Sequence, residues 1–192
     1  MKRICVYCGS NFGKRTEYII AAKKLGKEFI KRDITLVYGG AKVGIMGAIA
    51  DQILALGGQV IGVMPQSLID KEVAHTGLSE LIVVDSMHQR KSAMERLSEG
   101  FIALPGGLGT IEELLEMLTW AQLGFHQKPC AILNIEAYFD CLLEFIKHAA
   151  KEGFIKSSHA GMLITHTEPD ALLSSMENYL PPQGEKWIHK AL

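Results

Sequence analysis

Three carboxylates close behind a run of glycines mark where this sequence can do chemistry. Residues 101–123 read FIALPGGLGTIEELLEMLTWAQL, with Glu112, Glu113 and Glu116 within two helical turns of the glycines. Upstream, DSMHQRKSAME at 85–95 supplies two cations, Arg90 and Lys91. A glycine-rich turn that opens a helix is suited to an anion. The backbone approaches the ligand closely, and the free N–H groups of the first turn face it with the positive end of the dipole. A plain phosphate cradle gains nothing from three acids beside a dianion. A site that also holds sugar hydroxyls, or stabilises a cationic transition state, does. The competing reading is structural: Thr110 and Glu113 fit a capping box, and Glu112 and Glu116 then belong to solvent. Neither familiar phosphate fingerprint is present, since there is no Gly-Lys-Ser/Thr and no GxGxxG with a downstream ribose acid.

Arg90 and Lys91 fall near the start of their own helix, which Asp85 or Ser86 can cap. Cations there oppose the dipole, so an anion facing them is inferred; the alternative is that they point to water. His88 suits acid–base work or simple exposure equally well, and carries no assignment.

These residues need a frame that brings them to one edge. Apolar runs at 2–7, 34–38, 59–63, 81–84, 101–104, 131–135 and 162–165 read as strands. Helical spacing covers 15–31, the stretch from the second glycine turn to residue 56, 87–97, the stretch from 110 onward, 136–151 and 169–179. Residues 64–80 lack clear periodicity and read as a long loop or lid with some helical turn. The alternation predicts an α/β fold: a single-domain, Rossmann-like three-layer sandwich with a mostly parallel sheet and helices on both faces. One nucleotide-binding domain is expected over 1–192, with 181–192 as a loosely held tail. Three glycine-rich turns follow strands: CGSNFG at 8–13 with Gly9 and Ser10, GGAKVGIMG at 39–47 with Gly39 and Gly40, and PGGLG at 105–109. Ligands of such sheets bind at the carboxyl ends of the strands, so three turns on one edge would make one nucleotide-sized crevice.

Composition narrows the function. Of 192 residues, 48% are hydrophobic and 21% charged, which is globular. A net charge of −1 without a basic block argues against nucleic acid as partner. No apolar run is long enough to span a bilayer, and MKRICVYCGS enters a strand directly, so no membrane association and a cytoplasmic location are expected. Cys5 and Cys8 have C-x-x-C spacing but sit in and at the end of a strand, where a redox pair would open a helix. No further ligands at zinc spacing accompany them. Cys130 and Cys141 lie among apolar residues and read as core; all four are expected as reduced thiols. Neither a metal nor a cofactor is expected.

The motif PGGLGTIEE at 105–113, with MHQRK at 87–91, resembles the LOG ("Lonely guy") family of cytokinin-activating phosphoribohydrolases, whose pattern PGGxGTxxE is met at every fixed position. The likeness runs from CGS through VYGG and GIMG to TWAQLG and on to GFI, nearly the whole chain. That family was long labelled "lysine decarboxylase". The resemblance implies hydrolysis of a nucleoside 5′-monophosphate, a cytokinin riboside monophosphate or AMP, to free base and ribose 5-phosphate. By the same resemblance Arg90 and Glu113 are the catalytic pair. Glu72, Lys91, Gly107, Leu108, Gly109, Thr110 and Thr119 match substrate-binding positions. Gly106, Ile111 and Glu112 flank them in the same turn, and Gly9, Ser10, Gly39 and Gly40 complete the crevice. The alternative is a non-catalytic nucleotide or molybdopterin carrier on the same scaffold, which would need the phosphate turn but not Arg90 and Glu113 together.

Family resemblance also implies a homodimer. A local hint agrees. Met117 and Trp120 lie off the main apolar stripe of Ile111, Leu114, Leu118 and Ala121, and Tyr138, Leu142 and Phe145 share a helical spacing. Trp120 folding back on the 136–151 helix of its own chain is the competing account.

Overall fold

The computed structural model describes residues 1–71 and 74–182. Seven parallel strands form its sheet: β1 (Arg3–Tyr7), β2 (Thr35–Tyr38), β3 (Val60–Pro65), β4 (Glu80–Val84), β5 (Phe101–Ala103), β6 (Cys130–Leu133) and β7 (Leu163–His166), in the order β4-β3-β2-β1-β5-β6-β7. The central strands are short and continuously apolar because both faces are covered. In β1, Ile4 and Val6 enter one core cluster while Cys5 and Tyr7 enter another, the two-residue alternation of a strand.

Helices cover both faces. α1 (Thr16–Lys31), α2 (Gly44–Ala55) and α8 (Pro169–Glu177) fill the first with Leu25, Phe29, Ile49, Ile53, Leu172 and Met176. α4 (Met87–Leu97), α5 (Leu108–Leu123) and α6 (Asp140–Lys151) fill the second with Ala93, Met94, Met117, Leu114 and Leu143. Two single-turn helices, α3 (Gln66–Ile69) and α7 (Ser157–Ala160), complete the set of described helices, with a 3-10 turn at Ile135–Ala137. The expected architecture stands, and the sheet is parallel throughout.

Several local expectations change. α5 begins at Leu108, capped by the backbone of Gly107 without a side-chain bond, so Thr110 lies inside the first turn and the capping box does not form. The 136–151 helix is interrupted: Glu136 and Ala137 adopt left-handed φ of 52° and 57°, and α6 starts only at Asp140. Met117 is fully buried, on the inner stripe with Leu114 and Ala121, because α5 turns that side to the sheet. Leu118 and Trp120 are half-buried against the cluster of Ala93, Met94 and Phe101. Cys141 is exposed on α6, while the other three thiols are buried. The lid expected over 64–80 starts with the end of β3 and the α3 turn, and Ala74 pairs with Ala41 in an isolated bridge. Glu72 lies outside the described residues, as does the expected loose tail from 183 onward.

Candidate active site

Strand order decides whether the three glycine turns can meet. The chain runs outward from β1 to β4 and then returns to lay β5 on the other side of β1, so the switch point lies between β1 and β5. The turns after β2, β1 and β5 are therefore neighbours at one edge. They touch. The N–H of Gly9 donates to the Pro105 carbonyl at 3.1 Å, and the Gly9 carbonyl accepts from Ile45 and Met46 at the start of α2 at 3.0 and 3.3 Å. A side chain on Gly106 would sit 2.1 Å from Oγ1 of Thr110 and 2.7 Å from the amide nitrogen of Gly9, so only glycine fits. Between the first and third turns lies a cavity of about 280 Å³ lined by Ser10, Asn11, Tyr18, Ile45, Gly107 and Tyr138, among others.

α4 delivers Arg90. Ser86 caps that helix, its hydroxyl accepting from the Gln89 amide at 3.2 Å. Arg90 is 9% exposed, and its Nε donates to the Val63 carbonyl at the end of β3 at 3.1 Å. Gly39 makes room for it: a Cβ there would fall 1.9 Å from Nη2. Nη1 stands 3.4 Å from Oε1 of Glu113, which is also 9% exposed. Burial holds the Glu113 carboxyl above its ordinary range, with the Arg90 guanidinium pulling in the opposite direction.

Lys91 turns to the other two acids, its Nζ lying 2.5 Å from Glu112 and 3.0 Å from Glu116. Burial works against the ammonium, but these hydrogen bonds outweigh it and hold the lysine above its usual value. The anion inferred from the sequence thus comes at least in part from α5 itself. Glu116 keeps one buried oxygen, Oε2, without a partner.

Gly9, Ser10, Gly39, Gly40, Gly106, Gly107, Leu108, Gly109, Thr110, Ile111, Glu112, Glu113, Arg90 and Lys91 are all placed at this edge or on the first two turns of α5 beside it. Thr119 is not. It is exposed, its hydroxyl donates to the Leu115 carbonyl at 2.7 Å, and it stands about 13 Å along the helix axis from Thr110. Tyr138 and Tyr18 line the cavity, and the sequence marks neither as a site residue. The spacing of Tyr138 with Leu142 and Phe145 reads as an apolar helix face, and no composition signal marks the left-handed pair before it. Cys5 and Cys8 lie beneath the site as protonated thiols, burial pushing both well above their ordinary value. Among the described residues no three His, Cys, Asp or Glu side chains converge as a metal site would require. A larger cavity, about 400 Å³, lies apart between α1 and the start of α8 and shares no residue with this edge.

The family described as "Possible lysine decarboxylase" matches residues 46–176. A cytokinin riboside 5′-monophosphate phosphoribohydrolase of Arabidopsis thaliana, of the LOG group, is 46% identical over 180 residues, 94% of this chain and 84% of that one. A probable enzyme of the same name from Oryza sativa subsp. japonica is 47% identical over 189 residues, 98% of this chain and 77% of that one. The chain belongs to the LOG family. Among solved structures, the molybdenum cofactor binding protein of Rippkaea orientalis superposes with a TM-score of 0.70 at 21% identity, covering 93% of this chain and 97% of that one. A Moco carrier protein of Chlamydomonas reinhardtii gives 0.68 at 19%, covering 92% and 96%. At such identities the likeness is one of fold, which the LOG family shares with these carriers.

Proposed function

We propose that this LOG-family enzyme hydrolyses the N-glycosidic bond of nucleoside 5′-monophosphates, releasing the free base and ribose 5-phosphate. Cytokinin riboside 5′-monophosphate and AMP are its proposed substrates. The observation that carries the reading is the buried Arg90–Glu113 pair, 3.4 Å apart, at the edge where three glycine turns meet. The open N–H groups of Leu108, Gly109 and Thr110 hold the 5′-phosphate at the start of α5. Glu113 then lies one turn further along, within reach of the ribose. As the bond between C1′ and the base nitrogen breaks, its electron pair leaves with the base and positive charge develops on the sugar. The Glu113 carboxylate stabilises that charge and orients a water, whose oxygen bonds to C1′ and whose proton ends on the base. Arg90 stabilises the negative charge gathering on the departing base, or pairs with the phosphate.

A decarboxylase of the pyridoxal type fits poorly. A Schiff-base lysine needs a lowered pKa, and Lys91 is held above 10.5 between two carboxylates. The carrier reading shares the phosphate turn but gives Arg90 and Glu113 no joint task. We further propose that the protein is cytoplasmic and a homodimer; no helix among the described residues is long and apolar enough to cross a membrane. The deciding experiment incubates purified protein with AMP, isopentenyladenosine monophosphate and adenosine and follows free base. Release from a monophosphate, with adenosine a poor substrate, is expected; no release from either nucleotide would remove the hydrolase reading.

A further inference from the structure

Tyr138 hangs over the phosphate turn from an unusual piece of backbone. The two residues before it, Glu136 and Ala137, both sit in the left-handed region, at φ 52° and 57°. Each carries the steric cost of an L residue there, and such strain persists only where the surroundings over-determine it. The surroundings are visible. Arg15 at the head of α1 pairs with Glu136 at 2.8 Å. The Tyr138 ring stands edge-on to Tyr18 at 5.6 Å and to Phe139 at 4.9 Å. Asn134 clamps the far side of the turn, accepting from the Phe139 amide at 2.9 Å and donating to Asp140 at 2.7 Å. All of this directs one hydroxyl, and that hydroxyl donates to the carbonyl of Gly106 at 2.6 Å.

That bond fixes the peptide between Gly106 and Gly107. The peptide is trans, so its N–H points opposite to its carbonyl. With the Gly106 oxygen held on Tyr138, the Gly107 N–H is turned to the opposite side. Glycines on both sides of the peptide leave little else to stop it rotating. Rotated, it would offer a carbonyl oxygen where an anion needs a donor.

We propose that Tyr138 is a positioning residue for the 5′-phosphate: by holding the Gly106 carbonyl it keeps the Gly107 N–H available to the anion at the start of α5. This rests on the nucleotide-hydrolase reading for its substrate, but not for its test. Tyr138→Phe removes only the hydroxyl and keeps both ring contacts. Calorimetric titration with ribose 5-phosphate, and separately with adenine, reads binding without turnover. The expected result is a dissociation constant for ribose 5-phosphate raised about 3- to 10-fold, the worth of one ordinary hydrogen bond, with adenine binding unchanged. In turnover of AMP, KM should rise by a similar factor and kcat stay within about 2-fold, as expected when one uniform binding contact is lost. Ribose 5-phosphate binding equal to wild type would overturn the proposal. So would equal weakening of both ligands, which is what a general loosening of the fold would give. A wild-type protein that binds ribose 5-phosphate yet releases no base from either AMP or isopentenyladenosine monophosphate would sink the hydrolase reading alone. One that binds no ribose 5-phosphate would overturn the role given to Tyr138.

Discussion

At the residue scale, the proposed chemistry depends on Glu113 being both buried and ionised. Burial raises its pKa and Arg90 restrains the rise, so its proton is lost above 4.5, the ordinary value, as pH increases. In the proposed mechanism the carboxylate is the active form, so kcat/KM should fall on the acid side with a midpoint above 4.5. Stability runs the other way. The folded state holds this proton more tightly than the unfolded chain, so Glu113 contributes stability below 4.5 that is lost as pH rises through its raised value. Glu113→Gln mimics the neutral form. It should lower turnover by ~100-fold or more, abolish that acid limb, and remove the pH dependence of stability in the same window. A Gln variant turning over at the wild-type rate would take Glu113 out of the mechanism. Because the capping box does not form, a large loss of stability in this variant has no capping origin. The position of Lys91 near the start of its helix points to a facing anion, and in the structure Glu112 and Glu116 supply carboxylates to its ammonium. Such a pairing depends on how α4 and α5 face each other, which spacing along either helix cannot show.

At the scale of elements, one glycine ties the second turn to the proposed catalytic pair, Arg90 and Glu113. Gly39 lies against Arg90, and a methyl group there would meet Nη2 at 1.9 Å but only the far end of a flexible side chain. Gly39→Ala should therefore leave the protein folded, weakened by up to about 2 kcal/mol if the bond from Arg90 to Val63 is lost. Turnover should drop by ~100-fold, because the guanidinium is displaced from where charge develops. Paired urea titrations and steady-state kinetics separate the two effects, and unchanged kinetics would show that Arg90 need not occupy its observed position. The strands and the three glycine turns were legible because continuous apolar runs and clustered glycines are local signals. Two element boundaries were not. Leu108 and Gly109 look like loop, yet they begin α5, because the anion-ready first turn uses the glycine backbone as its cap. Helical spacing over 136–151 continues through Glu136 and Ala137, whose left-handed backbone is imposed by tertiary contacts. The sequence pattern puts Met117 off the inner stripe for a related reason: which side of a rather uniformly apolar helix faces the sheet is set by packing, not by its own pattern.

At the scale of the whole molecule, Thr119 poses a geometric problem. Resemblance makes it a substrate-binding position, yet in its own chain it faces solvent about 13 Å along α5 from Thr110. A second copy of the chain resolves this if α5 lies near a two-fold axis, so that Thr119 of the partner subunit approaches the glycine turns of the first. Met117 no longer supports such an interface, since it is core, and Trp120 is half-buried. Other apolar side chains do. Leu123 and Phe125 at the end of α5 are 45% and 71% exposed, and Phe145 on α6 is 64% exposed. Exposed apolar side chains also occur elsewhere, at Ile20, Leu56 and Phe154 for example, and it is the position of these three beside α5 and α6 that suits them to the contact. Sedimentation at micromolar concentration should give twice the chain mass, and Phe125→Glu with Phe145→Glu should shift it toward one. If the Thr119 hydroxyl serves the opposite site, the monomeric double variant should also lose nucleotide turnover while its Arg90–Glu113 pair stays intact. A wild-type monomer that hydrolyses AMP at full rate would exclude any contribution of the second chain, and would leave Thr119 with no more than its bond to Leu115.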